Sequence, residues 1–331
     1  VVVLRDGWAQ DASVLVMDAG PHGAMNCGHA HADALSLALT VDGSPLFVDP
    51  GTFVYTTNAA TRDAFRATAS HTAVTVDGAS SSEMAGAFSW HRKATTRVTH
   101  WRSGRLGDCV VASHDGFDDR GSRPFACQRI VLRLPMGGTT AWVVLDRFHA
   151  AREVELAAHY QCAPSIAVLA QADGRVQFRR EGADVADMLA FGGTASETRG
   201  LVSATYGTSE PAPHLAIVRR GSGALTLCSV LVGPGVAAPT YREDQGALSL
   251  VIPNGSTELV VLCGEGATAR LGNFALDGVA LWGEREVGSG ALLWWEAVGA
   301  RRVAIGPSVI LDSNTARDTG WIAGSAPLNS N

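Results

Sequence analysis

Residues 33–51 read DALSLALTVDGSPLFVDPG, and this stretch decides the fold class. From Leu35 to Val41 large apolar residues alternate with small or polar ones, the two-residue period of a strand with one buried face. Asp42-Gly43 follows, a pair that tolerates the positive φ of a hairpin turn. Leu46-Phe47-Val48 then starts a return strand that stops at Asp49-Pro50-Gly51. The proline removes a ladder donor there and the glycine permits a sharp turn. The stretch is a hairpin whose second strand ends in a carboxylate.

Outward from it the same pattern recurs. Thr72 to Val76 ends in Asp77-Gly78, Gln128 to Leu134 runs toward Gly137-Gly138, and Arg175 to Arg179 follows Asp173-Gly174. Ala141 to Asp146, Val154 to Tyr160, Leu225 to Val232, Leu248 to Ile252 and Glu258 to Leu262 are further runs of strand length. Only Ala59 to Ala69 suggests a helical period. Many strands with short turn pairs predict an all-β fold, a large antiparallel sandwich. Pro239 and its polar neighbours mark a boundary, so we expect a main sandwich over 1–246. A smaller β layer over 247–331 would follow, ending in a polar tail from Ser313.

The 331 residues, 46% hydrophobic and 18% charged, are enough for a substantial core. No apolar run approaches the ~20 residues of a membrane span, and a net charge of −6 points to no nucleic-acid partner. Six cysteines lack CxxC pairing and several sit in apolar runs, which predicts buried thiols. The opening VVVLRDGWAQ lacks the features of a signal peptide and reads as a strand entered within a longer precursor. Charge is uneven: residues 56–105 hold seven basic residues against three acids, all arginine except Lys93. Two readings stand for this segment. It is a patch for an acidic ligand, with Arg62 and Arg66 as candidate contacts, or a solvated basic face.

The residues with most chemistry lie in GHAHAD (28–33), LFVDPG (46–51) and FRATASH (65–71). His29 and His31, two apart in an extended segment, are expected to point the same way. Asp49 ends one strand and His71 opens another. Two imidazoles and a carboxylate from neighbouring strand ends form a zinc-competent set with an open fourth position. The plainer reading makes each a surface or hydrogen-bonded structural group. His159 falls on the polar parity of its strand and is expected in solvent. His91, His100, His114, His149 and His214 have no evident partner, and His22 is a candidate support for the site. Trp8, Trp90, Trp101, Trp294 and Trp295 are sugar-stacking candidates whose default place is the core.

The ordered series DAGPHG, CGHAHADALSLALTVDGSPLFVDPGTFVYT and RDAFRATASHTAVTVDGASSSEMAGAFSW, spread over residues 18–90, resembles the heparinase II/III-like polysaccharide lyases. Weaker echoes follow in ASHDGF (112–117), VVLDRF (143–148) and VELAAHY (154–160). The resemblance implies zinc on His31, Asp49 and His71, and because such a site would join three segments its expected role is structural rather than Lewis-acidic. It places His29 at the substrate cleft with Tyr55, Phe53 being the alternative register. Thr72 stands where the family usually has asparagine. The implied reaction is β-elimination on a uronate-containing acidic polysaccharide: a base removes the C5 proton, the carboxylate charge is neutralised, and the C4 oxygen leaves. Members draw an Asn, a His and a Tyr for this reaction from an N-terminal α/α toroid, and nothing in these 331 residues reads as one. A toroid in cis or as a separate chain is therefore an expected partner, and a periplasmic or secreted location follows from the resemblance. The rival reading is a non-catalytic carbohydrate-binding or assembly module with structural zinc. A zinc hydrolase is weaker still, for want of a HExxH helix.

Overall fold

The computed structural model describes residues 1–118, 122–171, 174–323 and 328–329. Asp173 of the expected Asp173-Gly174 turn lies outside the described residues. The fold is all-β and antiparallel, and among the described residues one α-helix, Ala59–Arg66, interrupts the strands with a 3-10 turn, Thr68–Ser70. Asn58 caps the helix, its Oδ1 accepting from the Thr61 N–H at 3.0 Å. The predicted helix ran on to Ala69, but the backbone turns extended at Ala67.

The chain divides into two compact units, one of residues 1–101, 110–133 and 142–234, the other of 102–109, 134–141 and 235–331. In the first, the strands Val2–Arg5, Val14–Met17, Leu37–Val41 and Ser44–Phe47 form a sequential sheet. A larger sheet is organised on two long strands, Thr139–Gln161 and Thr208–Val232. The expected strands Ala141 to Asp146 and Val154 to Tyr160 are the two halves of the first of these, separated by a bulge between Ala150 and Val154. Its second half pairs with Val74–Val76, and the second long strand pairs with the hairpin arm Thr194–Thr205. The inner faces meet in one core, in which Leu15, Met17, Leu39 and Phe47 join Val131, Val144, Leu156, Tyr160 and Phe178. Removing such apolar surface from water, at roughly 25 cal/mol per Å², drives the two sheets together.

The second unit is built on a meander in which each strand from Thr240–Asp244 to Ser308–Ile322 neighbours the one before it. Leu262, Phe274, Leu276, Leu281, Trp295 and Val303 form its own core. Ser313 to Ile322, expected as polar tail, belongs to the strand Ser308–Ile322 and pairs with Leu292–Ile305. A mostly exposed strand is held by backbone hydrogen bonds, so its side chains need not be apolar. All six cysteines are buried, and none is in a disulfide. Trp294 and Trp295 are buried, but Trp8 and Trp101 are 88% and 57% exposed, against the default of core burial. No described helix is long and apolar enough to cross a membrane.

Candidate metal centre and cleft

The DPG turn builds the first ligand position. Gly51 holds φ +77, the left-handed region that favours glycine, and its N–H donates to Asp49 Oδ1 at 2.8 Å. A Cβ on Gly51 would collide with the Ser203 carbonyl, with which the turn forms a backbone bridge. His71 follows the 3-10 turn Thr68–Ser70 and precedes the strand, which starts at Val74 rather than Thr72. His31 follows a turn in which the Ala30 N–H donates to the Cys27 carbonyl at 3.1 Å. One candidate ligand atom from each of His31, Asp49 and His71 lies within 4.8 Å of the others.

Burial differs sharply across this trio. His71 is wholly enclosed and His31 nearly so, whereas the Asp49 side chain is 55% exposed. His71 Nδ1 donates to Asp49 Oδ2 at 2.9 Å, which leaves His71 Nε2 buried without a hydrogen-bond partner. An orphaned imidazole lone pair costs free energy unless something takes it, and a metal ion is one such partner. Burial pushes His31 down to about 3, helped by the charge of His71 and, less, of Arg62 and Arg66, while Asp49 opposes the shift. It is a neutral imidazole at physiological pH, the form that ligates. Partial burial resists the Asp49 charge, but the bond and charge of His71, then the Gly51 N–H, hold its carboxyl below the ordinary range. Burial resists a charge on His71 too, yet Asp49 raises it. Burial lifts Asp33, just beyond the histidine pair, to about 6. Two nitrogens and one oxygen are a donor set suited to zinc.

His29 and His31 do not share an environment. The segment between them is turn rather than strand, so the expected common orientation is lost and only His31 faces the trio. His29 is exposed and lies edge-on to Tyr55, ring centroids 5.4 Å apart, with Phe88 at 6.0 Å. Tyr55 stacks on Tyr206 at 5.5 Å, and the Arg62 guanidinium lies 5.1 Å from the Tyr55 ring centre. Phe53, the alternative register, packs on Phe65 of the helix instead. Tyr206 sits at the tip of the hairpin joining Thr194–Thr205 to Thr208–Val232, over 150 residues from Tyr55 in sequence. No local signal marked it.

Arg62 and Arg66 are fully buried. Arg66 donates to Asp63 at 2.7 Å and to the Gly86 and Ala87 carbonyls, and Arg62 donates to His31 Nε2 at 3.2 Å. Arg129 pairs with Asp146 at 2.6 Å inside the core, and its Nη1 donates to the carbonyls of Leu35 and Thr72 at 2.8 and 2.7 Å. It thereby ties the segment after His31 to the residue after His71. Thr72 itself accepts from the Gln161 N–H through its hydroxyl. His22 lies beside Ser82 and edge-on to Trp90, outside the trio. His159, expected in solvent, is half-buried and bonded to Thr75 and His214, while His114 and His214 are buried. Strand parity identified the inward face correctly, but it carries no information about what covers the other face.

A family model described as "Heparinase II/III-like, C-terminal" matches residues 2–266. Among solved structures, heparan sulfate lyase HepC from Pedobacter heparinus is similar to this chain with TM-score 0.62 and 23% identity, over 78% of this chain and 40% of that one. A structure of heparinase III gives TM-score 0.62 and 14% identity over the same shares. The chain thus spans about 40% of the length of these structures. No curated protein matches it.

Proposed function

The chain belongs to the heparinase II/III-like C-terminal family, and on that premise we propose that it is the β-sandwich portion of a lyase that cleaves uronate-containing acidic polysaccharide by β-elimination. The observation that carries this reading is the pairing of an exposed His29, in contact with Tyr55, with a His31–Asp49–His71 donor set whose two imidazoles are buried. On this reading His29 accepts or returns a proton at a sugar carbon or oxygen, and the Tyr55 hydroxyl donates to the glycosidic oxygen. Arg62, behind the Tyr55 ring, adds positive charge where a uronate carboxylate approaches. Burial directs Arg62 and Arg66 to act through neighbours rather than by exposed contact.

His31, Asp49 and His71 are the residues that would hold zinc. When bound, it supplies a rigid link among three turns and a field that opposes protonation of those imidazoles. The protein purified without chelator or metal-binding tag should contain about one zinc per chain, by elemental analysis. A metal-free protein indifferent to added zinc would remove the metal from this reading. Elimination is tested through the ultraviolet absorbance of the unsaturated uronate, over alginate, glucuronan, heparan sulfate and hyaluronan, with a family toroid supplied. Silence on every polymer would favour the second reading, a carbohydrate-binding or assembly module with structural zinc. The burial of both candidate arginines lends that reading its support. A periplasmic or secreted site of action accords with extracellular polymers as substrate.

A further inference from the structure

While Arg62 of the helix Ala59–Arg66 reaches His31, Ala64 and Phe65 of the same helix line a separate cavity of about 450 Å³. That volume lies within the span of small-molecule sites, roughly 300–1,000 Å³. None of the residues assigned above to the metal or the cleft lines it. His159 and Gln161 line it from the long strand, and residues 198–201, His214 and Ala216 from the hairpin whose tip carries Tyr206.

The polar groups here form a closed sequence. Gln161 Oε1 accepts from His214 Nδ1–H at 3.2 Å, His214 Nε2 accepts from His159 Nδ1–H at 3.1 Å, and His159 Nε2 accepts from the Thr75 hydroxyl at 3.0 Å. One choice of tautomers satisfies every bond with both imidazoles neutral. Gly200 lies close beside them, and a Cβ there would push the Gln161 amide from its present position. Phe65, Leu201 and Ala216 supply apolar wall, and Thr198 and Ser70 add hydroxyls. Arg199 stands in the lining, exposed, and its guanidinium makes no hydrogen bond or ion pair with any described residue. Apolar wall and planar amide and imidazole groups in one lining suit a sugar ring, which has a C–H face and a hydroxyl edge. A free guanidinium at the same place suits a carboxylate.

We propose that this cavity is a second carbohydrate site that takes one uronate unit, with Arg199 on its carboxylate and the Gln161–His214–His159 group beside its hydroxyls. The choice of uronate over another acidic sugar rests on the lyase reading; the cavity and its free guanidinium do not. Helix and hairpin both also reach the cleft, the helix through Arg62 and the hairpin through Tyr206. The site is thus placed to hold a second unit of a bound chain or a released sugar.

The test is histidine-ring NMR of the whole chain titrated with sodium glucuronate, methyl glucoside and sodium sulfate. Glucuronate should shift the His159 and His214 signals saturably, with a dissociation constant of about a millimolar. The shift should persist in His29→Ala, weaken about tenfold in Arg199→Ala, and be partly kept in Arg199→Lys. A glucuronate-containing tetrasaccharide that moves the same signals identifies a chain unit as the occupant, whereas response to free glucuronate alone identifies a released sugar. No saturable shift, an unchanged shift in Arg199→Ala, or an equal response to sulfate would overturn the proposal. The His29 ring reports the cleft separately, so a response there with silence at His159 and His214 removes the second site and leaves the lyase reading intact.

Discussion

His29 and His31 stand two residues apart, yet one faces solvent and tyrosine while the other faces His71 and a carboxylate. The difference separates two variants. His31→Ala and His71→Ala should each lose the metal and lower the melting temperature, because each removes a donor and leaves a buried site incomplete. His29→Ala should keep metal and fold and lose only turnover or uronate binding in the complete enzyme. If His29→Ala instead lost metal and stability, the roles of the two histidines would be reversed. His114 gives a second prediction at this scale. Burial pushes its imidazole down to about 4, with Arg129 and Arg92 adding and Asp115 opposing. Its folded pKa lies below the unfolded value, so its contribution to stability is present above about pH 6.5 and lost as pH falls toward 4. The size is roughly 2–3 kcal/mol across that window. Asparagine can accept the Gly116 N–H that His114 Nδ1 now accepts, so the melting temperature of His114→Asn should fall less steeply with acid. Equal slopes would show that another group sets the acid limb.

Turns and strands position these side chains, and Arg129 couples them. It lies on the strand Ser122–Met136, and one of its nitrogens reaches two carbonyls on separate loops while the others hold Asp146. Replacing it by leucine leaves the Asp146 carboxylate buried without its guanidinium and frees both loops. Breaking a buried pair in this way costs about 3–5 kcal/mol. Arg129→Leu should therefore unfold at markedly lower urea concentration. At temperatures where it stays folded, it should hold zinc less tightly than the parent. Full metal affinity in a destabilised variant would confine Arg129 to the core and deny it any part in the site. The sequence made the hairpin, the DPG turn and the spacing around His31, Asp49 and His71 legible, because each depends on a few neighbours. Arg129 and Tyr206 were invisible because what they reach, Thr72 and Tyr55, lies 57 and 151 residues away, and the Arg129–Asp146 pair forms only once two strands lie side by side.

For the whole molecule, the expectation is that this chain, assayed alone, shows little or no lyase activity. Proton abstraction needs base, carboxylate partner and sugar held together within about 3 Å contacts. On the proposed reading His29 and Tyr55 supply one wall of such a cleft, and the resemblance assigns an Asn, a His and a Tyr to a toroid. The chain spans about 40% of the solved lyases it matches. Robust release of unsaturated uronate by these 331 residues would show that the β portion holds a complete active site. Any weak binding of acidic oligosaccharide that relies on exposed charge should fall as salt rises.

The sequence by itself determined the all-β class and the antiparallel hairpins, while its resemblance to a family, rather than spacing, singled out His31, Asp49 and His71 as candidate ligands. Alternation, DG pairs and the DPG turn act over a few residues, where chain geometry is the main constraint. Tertiary structure decided which histidine of the pair turns inward, that Arg62 and Arg66 are buried, and that His159 and His214 face each other beside a cavity. Those outcomes depend on which distant strand or helix covers a face. That is settled by burying apolar area across the whole sheet, and no local pattern encodes it.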